Sequence, residues 1–216
     1  TIPEMMRTCA DALRDGAVVT DVGSTKEKIQ QEMAALLDGR KAVFVGSHPI
    51  CGSEQQGIET AHPDLYRNAV TIVTAGADVP EGPRQRVVRL WESVGSRVVV
   101  MEAAEHDRCL ARTSHLPHLT ASLLAAVVGR GDGAGELAPF CGTGFRDATR
   151  LAEGAPLMWK DIVQTNQESI AHELAALVEK TSLLLDMLNQ GDLDGIERFL
   201  AESRDLRREM IGTGKR

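Results

Sequence analysis

Apolar residues in the first hundred positions occur in short runs that are separated by stretches with helical spacing. The Val-rich runs show no regular polar alternation and predict strands at residues 17–22, 42–45, 69–74 and 97–101. Helical spacing predicts helices at about residues 3–13, 24–37 and 82–94. Continuous apolar runs are typical of strands buried on both faces, so we expect a largely parallel sheet covered by helices, which is an α/β fold.

The pattern changes after residue 101. Apolar residues then recur only at helical spacing, at about residues 103–128, 156–188 and 193–210. The glycine-rich patch Gly129–Gly135 follows a helical pattern and is interpreted as a flexible connection between helices. Asp192 is a candidate N-cap for the last helix. The second half of the chain is therefore predicted to be all-helical.

The predicted helix 156–188 would be about 50 Å long at 1.5 Å per residue, more than a half-domain of this size can cover. Its apolar residues lie on more than one side, and they include Ile162, Val163, Ile170, Leu174, Leu177, Leu184, Leu185 and Leu188. We therefore expect a homodimer built on the helical half.

Length, composition and charge restrict the class of protein. The 216 residues, 43% of them hydrophobic, are enough for a sizeable buried core. A formal net charge of −7 argues against a nucleic-acid surface, because phosphate binding needs a clustered positive field. We find neither an apolar run long enough to span a bilayer nor a signal-peptide pattern, and we expect a cytoplasmic protein.

The four cysteines give no sign of a metal site or a redox motif. Cys9, Cys51, Cys109 and Cys141 are at least 32 residues apart and form no C-x-x-C pair. We expect them to be reduced thiols and expect no bound metal.

The segment Gly46–Glu54 is the first candidate for chemistry. It follows the apolar run 42–45, so His48 is predicted to lie where a buried strand opens into a loop, the place where α/β enzymes keep catalytic groups. The alternative is a turn with an incidental histidine. A dinucleotide-binding sheet should also open with G-x-G-x-x-G between a strand and a helix, and the sequence contains no such motif.

Further motifs accompany the His48 segment in a fixed order. They are Asp21–Lys26, His106–His118 and Gly142–Ala152, the last running into Pro156–Ile162. With this spacing the chain resembles the prephenate and arogenate dehydrogenases of tyrosine biosynthesis, the TyrA family, from about residue 3 to residue 211.

The resemblance implies how the chain is divided. Residues 1–102 would be the C-terminal part of a Rossmann-like dinucleotide-binding domain, and residues 103–216 an all-helical substrate-binding and dimerisation domain. In the family the glycine loop lies about 70 to 80 residues before the D-x-G-S motif. We therefore expect this chain to lack the N-terminal glycine-loop half of the cofactor domain.

The family reaction removes a hydride from the carbon that bears the ring hydroxyl, passes it to a nicotinamide and expels the ring carboxylate as CO₂. By resemblance His48 accepts the hydroxyl proton, as a neutral imidazole can. Ser24 would hydrogen-bond this histidine near the nicotinamide, and Gly23 and Ser24 would contact the cofactor. The alternative for Ser24 is a helix N-cap with Glu27 as its capping-box partner.

The resemblance assigns Arg150 to a substrate carboxylate, with Asp147 orienting its guanidinium. The alternative is a surface ion pair between residues three apart on a helix. Two small departures from the family pattern, Cys51 and Thr143, concern pocket detail and leave the reaction class unchanged.

Three aromatic or imidazole side chains and one carboxylate complete the candidate site. His118 matches a family histidine that faces the substrate, whereas His115 is interpreted as structural; their spacing also allows a metal pair. Glu54 matches a glutamate that gates the pocket entrance, with a solvated loop residue as the alternative. Trp159 is expected to pack beside the site.

These residues predict an NAD- or NADP-dependent prephenate dehydrogenase that makes 4-hydroxyphenylpyruvate. Arogenate dehydrogenase, which makes tyrosine directly, is the alternative substrate assignment, and no single residue decides between them. A catalytically silent dimerisation or regulatory module is the alternative of another class, and the absent glycine motif favours it.

Overall fold

The structure is a computed structural model that describes residues 2–52, 61–76, 79–131 and 133–212. Its first part alternates strands and helices: α1 (Ile2–Cys9), β1 (Val18–Val19), α2 (Glu27–Leu37), β2 (Val43–Phe44), β3 (Gly46–Ile50), β4 (Val70–Thr74), α3 (Glu81–Ser93) and β5 (Arg97–Met101). The remainder is helical: α4 (Ala103–Leu110), α5 (Leu116–Val128), α6 (Thr143–Thr149), α7 (Pro156–Thr165), α8 (Gln167–Gln190) and α9 (Leu193–Ile211). The predicted α/β-then-α fold class is confirmed.

The strands form two small sheets. β1 pairs with β2 in parallel, and β4 is the central strand of a three-stranded sheet in the order β3-β4-β5. The β4–β5 pair is parallel and the β3–β4 pair antiparallel. We predicted a loop at residues 46–54, and this was wrong for 46–50, where β3 forms. Pro49 is compatible with β3 because β3 is an edge strand, where a missing N–H need not break a ladder.

Two apolar clusters cover these sheets. The α1 and α2 helices bury Met6, Ile29 and Met33 together with Phe44 at the end of β2. Val45 and Val73 pack with Val87 and Trp91 of α3 in the second cluster. Val45 and Val73 are fully buried, which explains why the sequence shows continuous apolar runs there.

The α2 helix begins three residues later than predicted. Lys26 occupies the N-cap position with no capping bond from its own side chain, so the alternative reading of Ser24 as the N-cap, with Glu27 as partner, was wrong. The free N–H groups of the first turn are bonded instead by the distant carboxylate of Asp107. A partner 80 residues away leaves no local sequence signal.

The helix predicted at residues 103–128 is continuous but irregular. A π-helical turn, Ala111–His115, joins α4 to α5 immediately before Pro117. Proline lacks an N–H and clashes with the carbonyl four residues earlier, so a local rearrangement of the hydrogen-bond ladder accommodates it. Such π-helical turns occur frequently at functional sites.

The single helix predicted at residues 156–188 is two helices, α7 and α8, separated at Asn166. The Asn166 backbone leaves the helical region, and its buried side chain donates to the backbone oxygen of Asp107 at 2.7 Å. The long-helix prediction was wrong because apolar periodicity continues across this break. Asp192 is confirmed as the N-cap of α9, since its carboxylate accepts from the Gly195 N–H at 2.8 Å.

The chain divides into two compact units, residues 1–170 and 171–216. The second unit consists of most of α8 and all of α9, and it exposes apolar side chains at Val178, Leu183, Leu185, Leu188, Leu193, Leu200, Leu206, Met210 and Ile211. Of the helices the structure describes, none has the length and apolar character needed to cross a membrane.

Candidate active site

His48 lies in the middle of β3, opposite Ile72 of β4, and its side chain is half-buried. Its Nδ1 atom is 2.8 Å from Nε2 of His106, on α4. The two imidazole rings meet edge to face, with centroids 5.1 Å apart. Among the described residues His48 makes no other side-chain hydrogen bond.

The hydrogen-bonded chain continues inward to a carboxylate. His106 Nδ1 is 2.7 Å from Oδ1 of Asp107, and both side chains are essentially inaccessible, His106 at 0% and Asp107 at 1% exposure. His106 and Asp107 lie within the motif His106–His118, from which no role was predicted for either residue. The role of His106 depends on a hydrogen bond to a residue 58 positions away, which leaves no local sequence signal.

Asp107 connects three parts of the site. Its carboxylate accepts hydrogen bonds from the backbone N–H of Lys26 at 2.8 Å and of Glu27 at 3.0 Å, in addition to its contact with His106. Its backbone oxygen accepts from Asn166. The start of α2, the α4 helix and the α7–α8 break are therefore fixed to one buried residue.

A buried ion pair lies beside this chain. Lys26 Nζ donates to Asp21 Oδ2, and Lys26 is completely inaccessible. Burial lowers the pKa of Lys26, while the Asp21 carboxylate acts in the opposite direction. Asp21 also accepts from the Ser47 N–H at 3.0 Å, immediately before His48. The motif Asp21–Lys26 therefore positions the β3 backbone.

The surroundings of His48 favour its neutral form. Burial lowers the pKa of His48 from 6.5 to about 3, and electrostatic interactions with His106, Lys26 and His115 act in the same direction. Asp107 opposes the shift without overcoming it. At neutral pH the imidazole is uncharged and able to accept a proton.

His118 and Trp159 form a stacked pair with ring centroids 3.5 Å apart and planes 11° from parallel. Gly154 lies against this pair, since a Cβ atom there would be 2.6 Å from Trp159 Nε1 and 2.8 Å from His118 Cε1. Burial lowers the pKa of His118. A cavity of about 620 Å³ opens beside the stack and is also lined by Lys160 and Gln164.

His115 lies deeper, with 1% exposure and Nδ1 3.3 Å from Nδ2 of Asn166. Burial lowers the pKa of His115 to about 4. Its ring meets Trp159 edge to face at 5.9 Å. These contacts are those of a packed structural histidine. Within the described ranges no group of three or more His, Cys, Asp and Glu side chains is placed to hold a metal ion.

Gly23 and Ser24 follow β1 and line a second cavity, of about 560 Å³. Its other walls come from α1, α2 and α7, including Ile29, Met158 and Ile162. Within the described part of the chain, Ser24 and His48 form no hydrogen bond, and His48 Nδ1 is paired with His106. The proposed contact of Ser24 with His48 stays a prediction.

Arg150 and Asp147 lie on the surface, at the junction of α6 with a 3₁₀ turn, Arg150–Glu153. Both side chains are exposed. Glu54, the predicted gate, lies outside the described residues. The structure therefore brings His48, His106 and Asp107 into one hydrogen-bonded group, whereas Arg150 and Asp147 are more open to solvent.

The chain has an α/β part followed by a helical part, with His48 of β3 hydrogen-bonded to the buried His106 of α4, and comparison with known proteins identifies its family. Residues 1–100 match the family model of the prephenate dehydrogenase nucleotide-binding domain, and residues 102–202 match that of the prephenate dehydrogenase dimerization domain. The chain belongs to the prephenate dehydrogenase family.

Individual relatives agree with the family models. Prephenate dehydrogenase of Lactococcus lactis is 30% identical over 202 residues, which are 92% of this chain and 54% of that protein. The chain thus spans about half the length of the curated relatives it matches first.

Two solved structures share the fold. Prephenate dehydrogenase from A. aeolicus, in complex with hydroxyphenyl propionate and NAD+, superposes with a TM-score of 0.88 at 30% identity, over 97% of this chain and 73% of that chain. Synechocystis arogenate dehydrogenase superposes with a TM-score of 0.81 at 25% identity, over 96% of this chain and 74% of that chain.

Proposed function

We propose that this chain forms the proton-accepting and substrate-binding part of an NAD- or NADP-dependent prephenate dehydrogenase, an oxidoreductase that converts prephenate to 4-hydroxyphenylpyruvate. The observation that supports this most strongly is a neutral His48 hydrogen-bonded to the buried His106–Asp107 pair. A silent structural module has no need of a half-exposed imidazole on such a support.

In this proposal His48 accepts the ring hydroxyl proton of the substrate at Nε2. Loss of that proton lets the C–O bond gain carbonyl character as hydride leaves the same carbon, and loss of CO₂ makes the ring aromatic. Because burial keeps His48 uncharged at neutral pH, the acceptor is ready before substrate binds.

The cavity at Gly23 and Ser24 is proposed to hold one end of a nicotinamide cofactor. It follows the carboxyl end of a parallel strand, where α/β folds bind such ligands, and its volume lies in the usual range for small-molecule sites. Gly23, Ser24 and the apolar wall from Ile29 would hold the ring. When bound, the cofactor supplies the hydride acceptor.

Arg150, Asp147, His118 and Glu54 are proposed to bind substrate. An exposed guanidinium can form a bidentate pair with a carboxylate, and Asp147 would orient it. The His118–Trp159 stack offers an apolar face for the substrate ring beside a polar ring edge. Glu54 would gate the entrance.

We also propose the domain division at residue 102 and a homodimer. The helical family model is described as a dimerization domain, and α8 and α9 expose apolar side chains such as Leu185, Leu188 and Leu200. Burial of such residues is what drives association of helical subunits. A cytoplasmic location stays a prediction.

Arogenate is the second candidate substrate, because Synechocystis arogenate dehydrogenase shares this fold over nearly the whole chain. The test is to supply the complete gene product with prephenate or arogenate and with NAD or NADP, and to follow reduced-cofactor absorbance. We expect turnover with prephenate above that with arogenate. Turnover only with arogenate would reverse the substrate assignment, and activity with neither would favour the silent module.

A further inference from the structure

His106 and Asp107 have no assigned role in the sequence motif, yet they are among the least accessible polar residues of the described structure. We propose that the Asp107–His106 pair is a positioning device that fixes His48 in the tautomer with its proton on Nδ1, which leaves the Nε2 lone pair facing outward. This inference rests on the proposed role of His48 as proton acceptor.

The direction of the hydrogen-bonded chain follows from Asp107. Its carboxylate accepts two backbone N–H bonds at the N-terminus of α2, where the helix dipole also stabilises negative charge. The Lys26 ammonium interacts with it electrostatically as well. An ionised carboxylate has no hydrogen to donate.

Each further proton position is then determined. Since Asp107 only accepts, His106 Nδ1 must carry the hydrogen of the 2.7 Å contact. In the proposed chain His106 is neutral, so its Nε2 atom is an acceptor, because a neutral imidazole has one protonated nitrogen. His48 Nδ1 must therefore donate across the 2.8 Å contact, and its Nε2 is unprotonated.

The arrangement also stabilises the positive charge that develops on His48 when it accepts a proton. After Nε2 takes a proton, the His48 imidazolium keeps its Nδ1–H bond to His106, which Asp107 polarises. Without His106, a histidine in water prefers the other tautomer, with its hydrogen on Nε2, and that form presents a donor to the substrate where an acceptor is needed. Positioning by a partner that fixes the tautomer is the usual way to orient a histidine base.

The direct test uses ¹⁵N-histidine labelling of the complete gene product at pH 7 without substrate. Two-bond ¹H–¹⁵N correlation spectra distinguish protonated from unprotonated ring nitrogens, and His48→Asn identifies the His48 signals. We expect a protonated Nδ1 and an unprotonated Nε2. A protonated Nε2 on His48, in either the neutral or the charged ring, would overturn the proposal.

Variants of His106 test whether the tautomer depends on it. His106→Phe removes the acceptor, and we expect His48 to shift toward the Nε2–H form and kcat to fall at least tenfold, with KM changing less than threefold. His106→Gln keeps an acceptor and a donor, and we expect it to restore much of the lost kcat. His172→Gln, at an exposed position on α8, is the matched control.

An unchanged His48 tautomer in folded His106→Phe, with a native circular dichroism spectrum, would refute the positioning role. If His106→Phe does not fold, the spectra of the unmodified protein and of His106→Gln still show which ring nitrogen of His48 carries the proton. Failure of the proposed function is seen separately, as absence of turnover with either substrate while the tautomer measurement stands.

Discussion

The His48 region and the Arg150 region of the candidate site are built in opposite ways. His48 is supported by a chain of buried partners on α4 and α2, whereas Arg150 and Asp147 are exposed at the end of α6. The proton acceptor is therefore prepared by the fold itself. The proposed carboxylate-binding group can gain its full effect only when substrate or another surface covers it, because water screens an exposed charge.

Removal of the buried Asp107 carboxylate should have the largest effect of the substitutions considered, because Asp107 connects several elements. Asp107→Ala leaves two backbone N–H groups and one imidazole N–H without an acceptor, at about 1–3 kcal/mol each. We expect the free energy of unfolding to fall by roughly 3 kcal/mol or more, measured by urea denaturation. Asp186→Ala, at an exposed position on α8, should change it by less than about 0.5 kcal/mol. If Asp107→Ala and Asp186→Ala lowered the free energy of unfolding by equally small amounts, Asp107 would not hold α2, α4 and the α7–α8 break together.

Gly154→Ala tests whether the His118–Trp159 stack belongs to the substrate site. The added Cβ would be within 3 Å of both rings, so one must move. We expect a loss of about 2 kcal/mol in unfolding free energy, typical of overpacking, and a higher KM. Gly144→Ala, whose Cβ would meet nothing within 4 Å, is the control. Unchanged stability and KM in Gly154→Ala would place the stack outside the site.

Arg150→Ala tests the exposed region. Loss of a bidentate carboxylate contact should raise KM for prephenate about tenfold while kcat changes little, as expected when binding rather than transition-state contact is removed. Arg146→Ala, an exposed arginine one turn earlier, should leave KM within about twofold, as surface substitutions usually do. An unchanged KM in Arg150→Ala would remove Arg150 from the carboxylate site.

The pH dependence of the free energy of unfolding tests whether the buried histidines are neutral in the folded protein. The pKa values of His48 and His115 are lowered to about 3 and about 4, below the value of 6.5 expected in the unfolded chain. Below pH 6.5 the unfolded state binds more protons than the folded state, so the free energy of unfolding should decrease as pH falls toward 4. Urea titrations at pH 7.5 and pH 5 measure this, and His115→Gln should show a smaller difference. A pH-independent free energy across this range would contradict neutral buried histidines.

Much of the fold could be predicted from the sequence because local patterns determine it. The Val-rich runs at residues 69–74 and 97–101 became β4 and β5 with little change, and Asp192 capped its own helix. The failures came from long-range contacts. The α2 start depends on Asp107, and the α7–α8 break accompanies the bond from Asn166 to the Asp107 backbone.

The same distinction holds for the candidate site. His48 was singled out by its place after a buried strand, whereas Ser24, Arg150 and His118 were identified by resemblance to family motifs, and no local pattern would have ranked those three above other polar residues. His106 was missed because its importance lies in a hydrogen bond to a residue 58 positions away. A single sequence carries no sign of that pairing.

His48 is proposed to accept the substrate proton on a support built by the chain. The most direct measurement is kcat of His48→Asn in the complete gene product with prephenate, together with the Kd for the nicotinamide cofactor. General-base catalysis of this kind contributes about 10²–10⁴-fold, so we predict a decrease in kcat of at least a hundredfold with a nearly unchanged Kd. Turnover within a few fold of the unmodified protein would contradict the account.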